Sequence, residues 1–158
     1  MTQYERIRIF LLRISLGWLL FYAGITKVLD PQWSAEGYLR GAKTFSGFYA
    51  WLAEPGMLSL VNAINAWGLT LIGAALILGI FVRLSSILGA GLMILYYFPI
   101  LQFPYPNQHS FVVDEHIAYA TALLVLAALR AGRIWGLETW CANLPICSRY
   151  PRIRSWIG

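Results

Sequence analysis

Four long apolar stretches divide the chain. Each approaches the roughly 20 residues that an α-helix needs to cross the hydrocarbon core of a bilayer. The stretches cover residues 9–29, 57–82, 84–103 and 112–129. Four prolines fall outside these stretches, where proline commonly ends a helix, at Pro31, Pro55, Pro104 and Pro106. The pattern predicts an all-α fold, an integral membrane four-helix bundle formed by one domain of residues 1–158.

The segment of residues 30–56 is predicted to be the one long loop on the outer side. Its apolar residues recur at helical spacing, at Tyr38, Ala42, Phe45, Tyr49 and Leu52. The charged residues of the segment, Glu36, Arg40 and Lys43, lie on the opposite face of such a helix. This pattern predicts an amphipathic helix between helices 1 and 2 that lies along the membrane surface.

The composition agrees with a membrane environment. Hydrophobic residues make up 59% of the 158 residues and charged residues 12%. That charged share is about half of the ~25% found in soluble domains. A soluble core of this size could not bury so much apolar surface. The net charge of +5 does not indicate nucleic-acid binding, because the basic residues flank apolar stretches instead of forming a patch on a polar surface.

The basic residues also predict an orientation. Most of them fall on the side that holds both termini and the second connection, at Arg6, Arg8, Arg83, Arg130, Arg133, Arg149, Arg152 and Arg154. The opposite side carries Lys27, Arg40 and Lys43. Because basic residues accumulate on the cytoplasmic side of a membrane protein, we expect both termini, including the tail of residues 131–158, to be cytoplasmic.

Polar residues within the apolar stretches gather at one predicted depth. At 1.5 Å per residue, His116 lies about 21 Å above Arg130, and Tyr96 lies about 20 Å above the inner end of its helix. Lys27 and Asn65 each lie about 27 Å above the inner ends of theirs. Each helix therefore contributes polar groups to one layer in the outer leaflet, and such groups commonly mark functional sites in membrane proteins.

This layer supplies the candidate site residues. We predict catalytic roles for Asp114, Glu115 and His116, with His116 as the group that exchanges protons. The predicted quinone- or substrate-binding residues are Lys27, Asn62, Asn65, Tyr96 and Tyr97. Structural roles remain open alternatives: helix capping for the two carboxylates, helix–helix hydrogen bonds for the asparagines, and an interfacial anchor for Lys27.

Neither a metal nor a haem is predicted. His109 and His116 are seven residues apart across a predicted loop, and only His116 lies within a predicted helix. Cys141 and Cys147 lie in the predicted cytoplasmic tail without the two-residue spacing of a thiol–disulfide pair. A structural role for these two cysteines is favoured, and a redox role remains open.

Several motifs resemble the DoxX family, which includes DoxD, the small membrane subunit of thiosulfate:quinone oxidoreductase. The motifs occur in order along nearly the whole chain: residues 13–31, residues 78–84, Asp114-Glu115-His116 and residues 131–138. The resemblance implies a four-helix protein of a prokaryotic cytoplasmic membrane. It also implies that Lys27, Asp114 and His116 belong to a quinone or substrate site.

The leading hypothesis is a membrane subunit of a quinone-linked oxidoreductase, with thiosulfate as one possible donor and quinone as a substrate. The alternative is a non-catalytic accessory or assembly subunit of a larger respiratory or photosynthetic complex. Both hypotheses predict membrane lipid and a partner subunit or complex as partners. A small-solute channel is less favoured, because the sequence shows no inverted repeat or broken helix.

Overall fold

The computed structural model describes residues 1–141, and the described chain is helical without β-strands. Its α-helices are α1 (Gln3–Leu29), α2 (Glu36–Arg40), α3 (Ser46–Leu52), α4 (Pro55–Leu78), α5 (Val82–Ile100), α6 (Glu115–Ala128) and α7 (Glu138–Cys141). A short 3-10 helix, Ala131–Arg133, follows α6. Among these residues, α1, α4 and α5 are long and apolar enough to cross a membrane. The protein is therefore a membrane protein with an all-α fold.

Two helix boundaries differ from the predictions because of capping. α1 begins at Gln3 and not near residue 9, since Thr2 and Glu5 form a reciprocal capping box in which each side chain accepts a hydrogen bond from the other's backbone N–H. α4 spans Pro55–Leu78 and not residues 57–82. It ends where Gly79 adopts a left-handed conformation with φ 69°, a common helix terminator.

The third and fourth helices are shorter than predicted. α5 ends at Ile100, although the predicted helix continued to residue 103. Residues 101–114 form a loop, so the first residues of the predicted helix 112–129 are not helical. α6 begins at Glu115 because the Asp114 carboxylate caps it, accepting hydrogen bonds from the backbone N–H groups of His116 and Ile117. With 14 residues, α6 is about 21 Å long, which is less than the ~30 Å hydrocarbon core.

The loop between α1 and α4 contains two short helices, so the prediction of one continuous amphipathic helix was wrong. α2 ends at Arg40, and Phe45 precedes α3 in a left-handed conformation with φ 53°. The two helices nevertheless bury a shared apolar side, which consists of Ala35, Leu39, Ala42, Tyr49 and Ala53. Ala42 and Tyr49 belong to the predicted apolar face, whereas Phe45 is exposed.

The long helices pack in two close pairs, α1 with α4 and α5 with α6. Leu20 and Leu76 of the first pair meet Leu123 and Leu126 of α6 in one buried core. Glycines bring α1 and α4 into backbone contact. A Cβ atom placed on Gly73 would lie 2.2 Å from the backbone nitrogen of Phe21. Small residues at such crossings are typical of membrane helix pairs.

Pro99 explains how the external loop docks on α5. Proline lacks an N–H group, so the carbonyl of Leu95, four residues earlier, loses its helical hydrogen bond. The Tyr49 hydroxyl donates to this carbonyl at 2.8 Å. The carbonyl of Pro99 accepts a hydrogen bond from the Lys43 backbone N–H at 2.9 Å. A break in the hydrogen-bond pattern of α5 thus becomes the attachment point for the loop.

Replacing Tyr49 with phenylalanine should lower the free energy of unfolding by about 1–3 kcal/mol, because the Leu95 carbonyl would lose its partner in a buried position. Thermal unfolding of the purified protein in detergent measures this change. Tyr4→Phe is the matched control, since the Tyr4 side chain is 75% exposed. Equal stability of both variants would show that the Tyr49 hydroxyl does not hold the loop.

Candidate functional site

A polar cavity of about 230 Å³ lies where the external loop meets α1, α4, α5 and α6. Its lining residues are Lys27, Trp33, Ser34, Ala35, Tyr38, Asn65, Tyr96 and His116. Its volume is below the roughly 300–1,000 Å³ typical of pockets for drug-sized ligands. The cavity therefore suits a single small ring or a small anion.

Lys27 places its charge inside this cavity. Its ammonium group donates to the Asn65 side-chain oxygen at 3.0 Å. The same nitrogen lies 4.9 Å from the ring centre of Trp33 and 5.6 Å from that of Tyr96. No carboxylate forms an ion pair with it within residues 1–141. An ammonium group held by an amide and two aromatic faces keeps its attraction for an anionic or electron-rich ligand.

His116 is oriented by the residue that caps its own helix. Its Nδ1 atom lies 2.6 Å from a carboxylate oxygen of Asp114, whose side chain is fully buried. With the carboxylate ionised, Nδ1 carries the proton that forms this hydrogen bond, so Nε2 holds the free lone pair. Over the described chain, Nε2 has no hydrogen-bond partner. This arrangement fits a group that accepts a proton and then releases it.

Two tyrosines form the wall between the helices and the loop. The Tyr96 ring packs edge-on against His116 and against Tyr38. The Tyr38 hydroxyl donates to the Tyr96 backbone carbonyl. Burial raises the pKa of Tyr38 to about 12, with smaller contributions from Tyr49 and Asp114, so Tyr38 remains a donor at neutral pH. The buried Tyr96 hydroxyl makes no hydrogen bond with the described residues, although Asn65 lies near it.

An apolar groove of about 240 Å³ shares four residues with the polar cavity, namely Ala35, Tyr38, Asn65 and Tyr96. The rest of this groove is lined by Leu39, Phe48, Tyr49, Leu52, Val61, Ile64, Leu92 and Leu95. These residues come from α2, α3, α4 and α5. Ile64 is 59% exposed, so the groove reaches the outer surface of the helices, where lipid chains lie. The polar cavity and the apolar groove are therefore neighbours, with four lining residues in common.

The structure brings together four of the residues predicted for this site. The polar cavity is lined by Lys27, Asn65, Tyr96 and His116. Asp114 does not line the cavity but holds His116 by a hydrogen bond. The remaining three predicted residues lie elsewhere. The Asn62 side chain binds the loop, accepting from the Ala35 backbone N–H at 2.9 Å. The Tyr97 hydroxyl donates to the Val112 carbonyl. Glu115 is exposed beside the cap of α6.

Trp33 and Tyr38 line the cavity but were not among the predicted site residues. Tyr38 was predicted to lie on the apolar face of a surface helix, and Trp33, two residues after Pro31, has no place in that periodic pattern. Asn62 offers a partial signal, because a polar side chain near the outer end of a membrane helix needs a partner. The loop backbone at Ala35 supplies that partner.

Residues 1–141 contain no group of three histidine, cysteine or acidic side chains close enough to hold a metal ion. Cys141 is the last described residue, so Cys147 and most of the predicted tail of residues 131–158 lie outside the described part of the chain. The interpretation of the two cysteines therefore stays a prediction.

The DoxX family model matches residues 8–100, which is more than half of the chain. This chain belongs to the DoxX family. DoxX proteins are generally membrane proteins associated with oxidoreductase-related functions. Comparisons with curated proteins and with solved structures give no match. The matched segment of this DoxX protein contains Lys27, Asn65 and Tyr96, whereas Asp114 and His116 lie beyond it.

Proposed function

We propose that this DoxX protein is the membrane subunit of a quinone-linked oxidoreductase and that its polar cavity binds the quinone head group. The observation that carries the proposal is that the polar cavity lies beside an apolar groove and shares four lining residues with it. A membrane quinone has a small polar ring joined to a long apolar tail, and the two spaces match these two parts. A small anionic donor would use the polar cavity alone.

The lining residues suit the reduction of a quinone to a quinol, which requires two electrons and two protons. Lys27 stabilises negative charge that develops on a quinone oxygen. His116, held by Asp114, takes a proton from solvent at the outer side onto Nε2 and passes it to a quinone oxygen, once for each of the two protons. Further hydrogen-bond donors are Asn65, which binds Lys27, and the Tyr96 hydroxyl, which has no hydrogen-bond partner among residues 1–141. The electrons come from a donor such as thiosulfate, which we propose is oxidised with the help of a partner subunit.

The proposal includes a topology of four crossings with both termini in the cytoplasm of a prokaryotic cell. Two contacts support a fourth crossing by the short α6. Asp114 at its start holds His116 of the polar cavity, and Ala131 just after its end accepts a hydrogen bond from Arg13 of α1. Arg13 lies 14 residues before Lys27, so these two contacts are about 21 Å apart along α1. The excess of basic residues at the end that holds Arg13 supports a cytoplasmic location for that end.

Quinone reduction by the purified chain and by its native complex, with thiosulfate or sulfide as donor, tests the proposal. Turnover that depends on both donor and quinone is the expected result. The alternative of a non-catalytic accessory subunit predicts co-purification with a larger complex whose turnover is unaffected by His116→Ala. Absence of quinone binding in both preparations would refute our proposal.

The apolar groove predicts a dependence on tail length. Ile64→Trp places a larger side chain at the exposed rim of the groove, so binding of a long-tailed quinone should weaken about tenfold while that of a tailless benzoquinone stays unchanged. Binding titrations with both quinones measure the effect. Leu60→Trp is the matched control, because Leu60 lies on the same helix, is 52% exposed and does not line the groove. Equal weakening for both quinones would contradict the assignment of the groove to the tail.

A further inference from the structure

A second polar cluster lies at the end of the helices opposite the polar cavity. Arg13 is fully buried there, and its guanidinium donates to the carbonyls of Ala131 at 3.0 Å and Trp135 at 3.4 Å. Space for this side chain comes from Gly79 and Gly136. A Cβ atom on Gly79 would lie 2.3 Å, and one on Gly136 2.7 Å, from an Arg13 nitrogen. Arg13 thus fixes the backbone that follows α6.

The segment fixed by Arg13 forms one side of a cavity of about 340 Å³, and the start of α1 forms the other. Three arginines line this arginine cavity, namely Arg6, Arg130 and Arg133. Leu129, Ile134 and Trp135 supply its apolar part. Arg133 contacts the Glu138 carboxylate at 3.5 Å. Arg6 and Arg130 form no ion pair within 4 Å in the described chain, so the cavity keeps an excess of positive charge.

The backbone around this cavity is strained at two of its lining residues. Arg130 and Trp135 are left-handed, with φ 47° and φ 51°. A left-handed conformation is unfavourable for residues other than glycine by roughly 1–2 kcal/mol. Glycine would adopt it freely, yet the chain carries an arginine and a tryptophan here. Both side chains face the same cavity, and strain of this kind often accompanies binding sites.

We propose that the arginine cavity binds a phosphate group, and specifically the head group of an anionic phospholipid. Guanidinium groups match phosphate oxygens in geometry and charge. The apolar residues beside the arginines suit the first carbons of the acyl chains, which a free phosphate lacks. Basic pockets between membrane helices on the cytoplasmic side bind anionic lipid head groups in this way. The site is separate from the polar cavity, so it stands independently of the proposed quinone chemistry.

Native mass spectrometry of the full chain, after removal of lipid in a neutral detergent, tests this site. The protein is titrated with phosphatidylglycerol, phosphatidylcholine and inorganic phosphate. We expect phosphatidylglycerol to bind more tightly than phosphatidylcholine and to be displaced by excess inorganic phosphate. Each arginine near an anionic lipid surface contributes about a fivefold increase in affinity. Arg6→Gln should therefore weaken binding about fivefold, and Arg6→Gln with Arg130→Gln about 25-fold.

Arg8→Gln is the matched control, because Arg8 is exposed at the same end of α1 and does not line the cavity. The control should bind phosphatidylglycerol like the unmodified chain. If inorganic phosphate binds in an arginine-dependent way but lipid does not, the cavity is a phosphate site for a soluble ligand, and the assignment to a phospholipid is overturned. Equal losses for Arg6→Gln and Arg8→Gln, or no loss for the double variant, would overturn the proposal. Arg6 is exposed and does not belong to the buried core, so Arg6→Gln should fold normally. A loss of lipid binding in this variant therefore reports on the cavity and not on misfolding.

Discussion

Replacing Lys27 with methionine is expected to lower the kcat of quinone reduction by about 10²–10³-fold, the usual consequence of removing one group that stabilises developing charge. Lys27 is the cation of the polar cavity, held by Asn65 at 3.0 Å and by the aromatic faces of Trp33 and Tyr96. Methionine fills similar space without the charge. Steady-state kinetics with a saturating donor measures the effect, and quinone binding should weaken in parallel titrations.

Lys43→Met is the control for this prediction. Lys43 is exposed on the external loop, and only its backbone N–H takes part in docking to α5. Its variant removes the same charge from the same side of the membrane and should retain full activity. If both variants retain full activity, Lys27 is an interfacial anchor and the polar cavity is not the site of chemistry. If both retain quinone binding but lose turnover, the loss reflects general surface charge.

Gly73→Ala is expected to have the largest effect on stability. The added Cβ atom would lie 2.2 Å from the Phe21 nitrogen and 2.7 Å from the Gly17 carbonyl oxygen. Both neighbours are backbone atoms of α1, so no side-chain rotation relieves the overlap, and α1 must move away from α4. Overpacking of this kind lowers the free energy of unfolding by about 3 kcal/mol. Thermal unfolding in detergent, together with the yield of folded protein, measures the change.

Gly68→Ala on the same helix provides the control. A Cβ atom on Gly68 meets no other atom within 4 Å. Alanine favours a helix interior over glycine by roughly 0.5–1 kcal/mol, so this variant should match or exceed the stability of the unmodified chain. A Gly73→Ala protein as stable as Gly68→Ala would mean that α1 and α4 do not cross as closely as described.

The two proposed sites lie at opposite ends of the helix pairs and differ in charge balance. The polar cavity pairs one lysine with neutral donors and a histidine held by Asp114. The arginine cavity combines three guanidinium groups with one carboxylate, Glu138. Burial raises the pKa of Glu138, while Arg133, Arg130 and Arg13 act in the opposite direction. The variants proposed for one site therefore leave the other unchanged, so failure of either proposal would not affect the other.

The sequence by itself determined that this is a membrane protein, because apolar stretches of this length have no place in a soluble core. Its motifs indicated the DoxX family, which the family model over residues 8–100 confirms. The sequence also determined which helices carry Lys27, Asn65, Tyr96 and His116, since helical rise converts residue number into depth. That arithmetic places these four residues near one level of the bundle. It could not decide rotation about each helix axis, so it grouped Tyr97 with Tyr96 although their hydroxyls point to different surroundings.

Tertiary structure decided the rest. Whether Asn62 lines a cavity or holds a loop depends on the position of Ala35, which precedes the periodic part of the external loop. The apolar groove is lined by Tyr49 and Leu95, which are 46 positions apart and are joined where the Tyr49 hydroxyl donates to the carbonyl that Pro99 leaves free. The arginine cavity depends on Arg13 reaching Ala131, 118 positions away. Local periodicity predicts helices, whereas sites built by such distant hydrogen bonds follow from the packing of the whole chain.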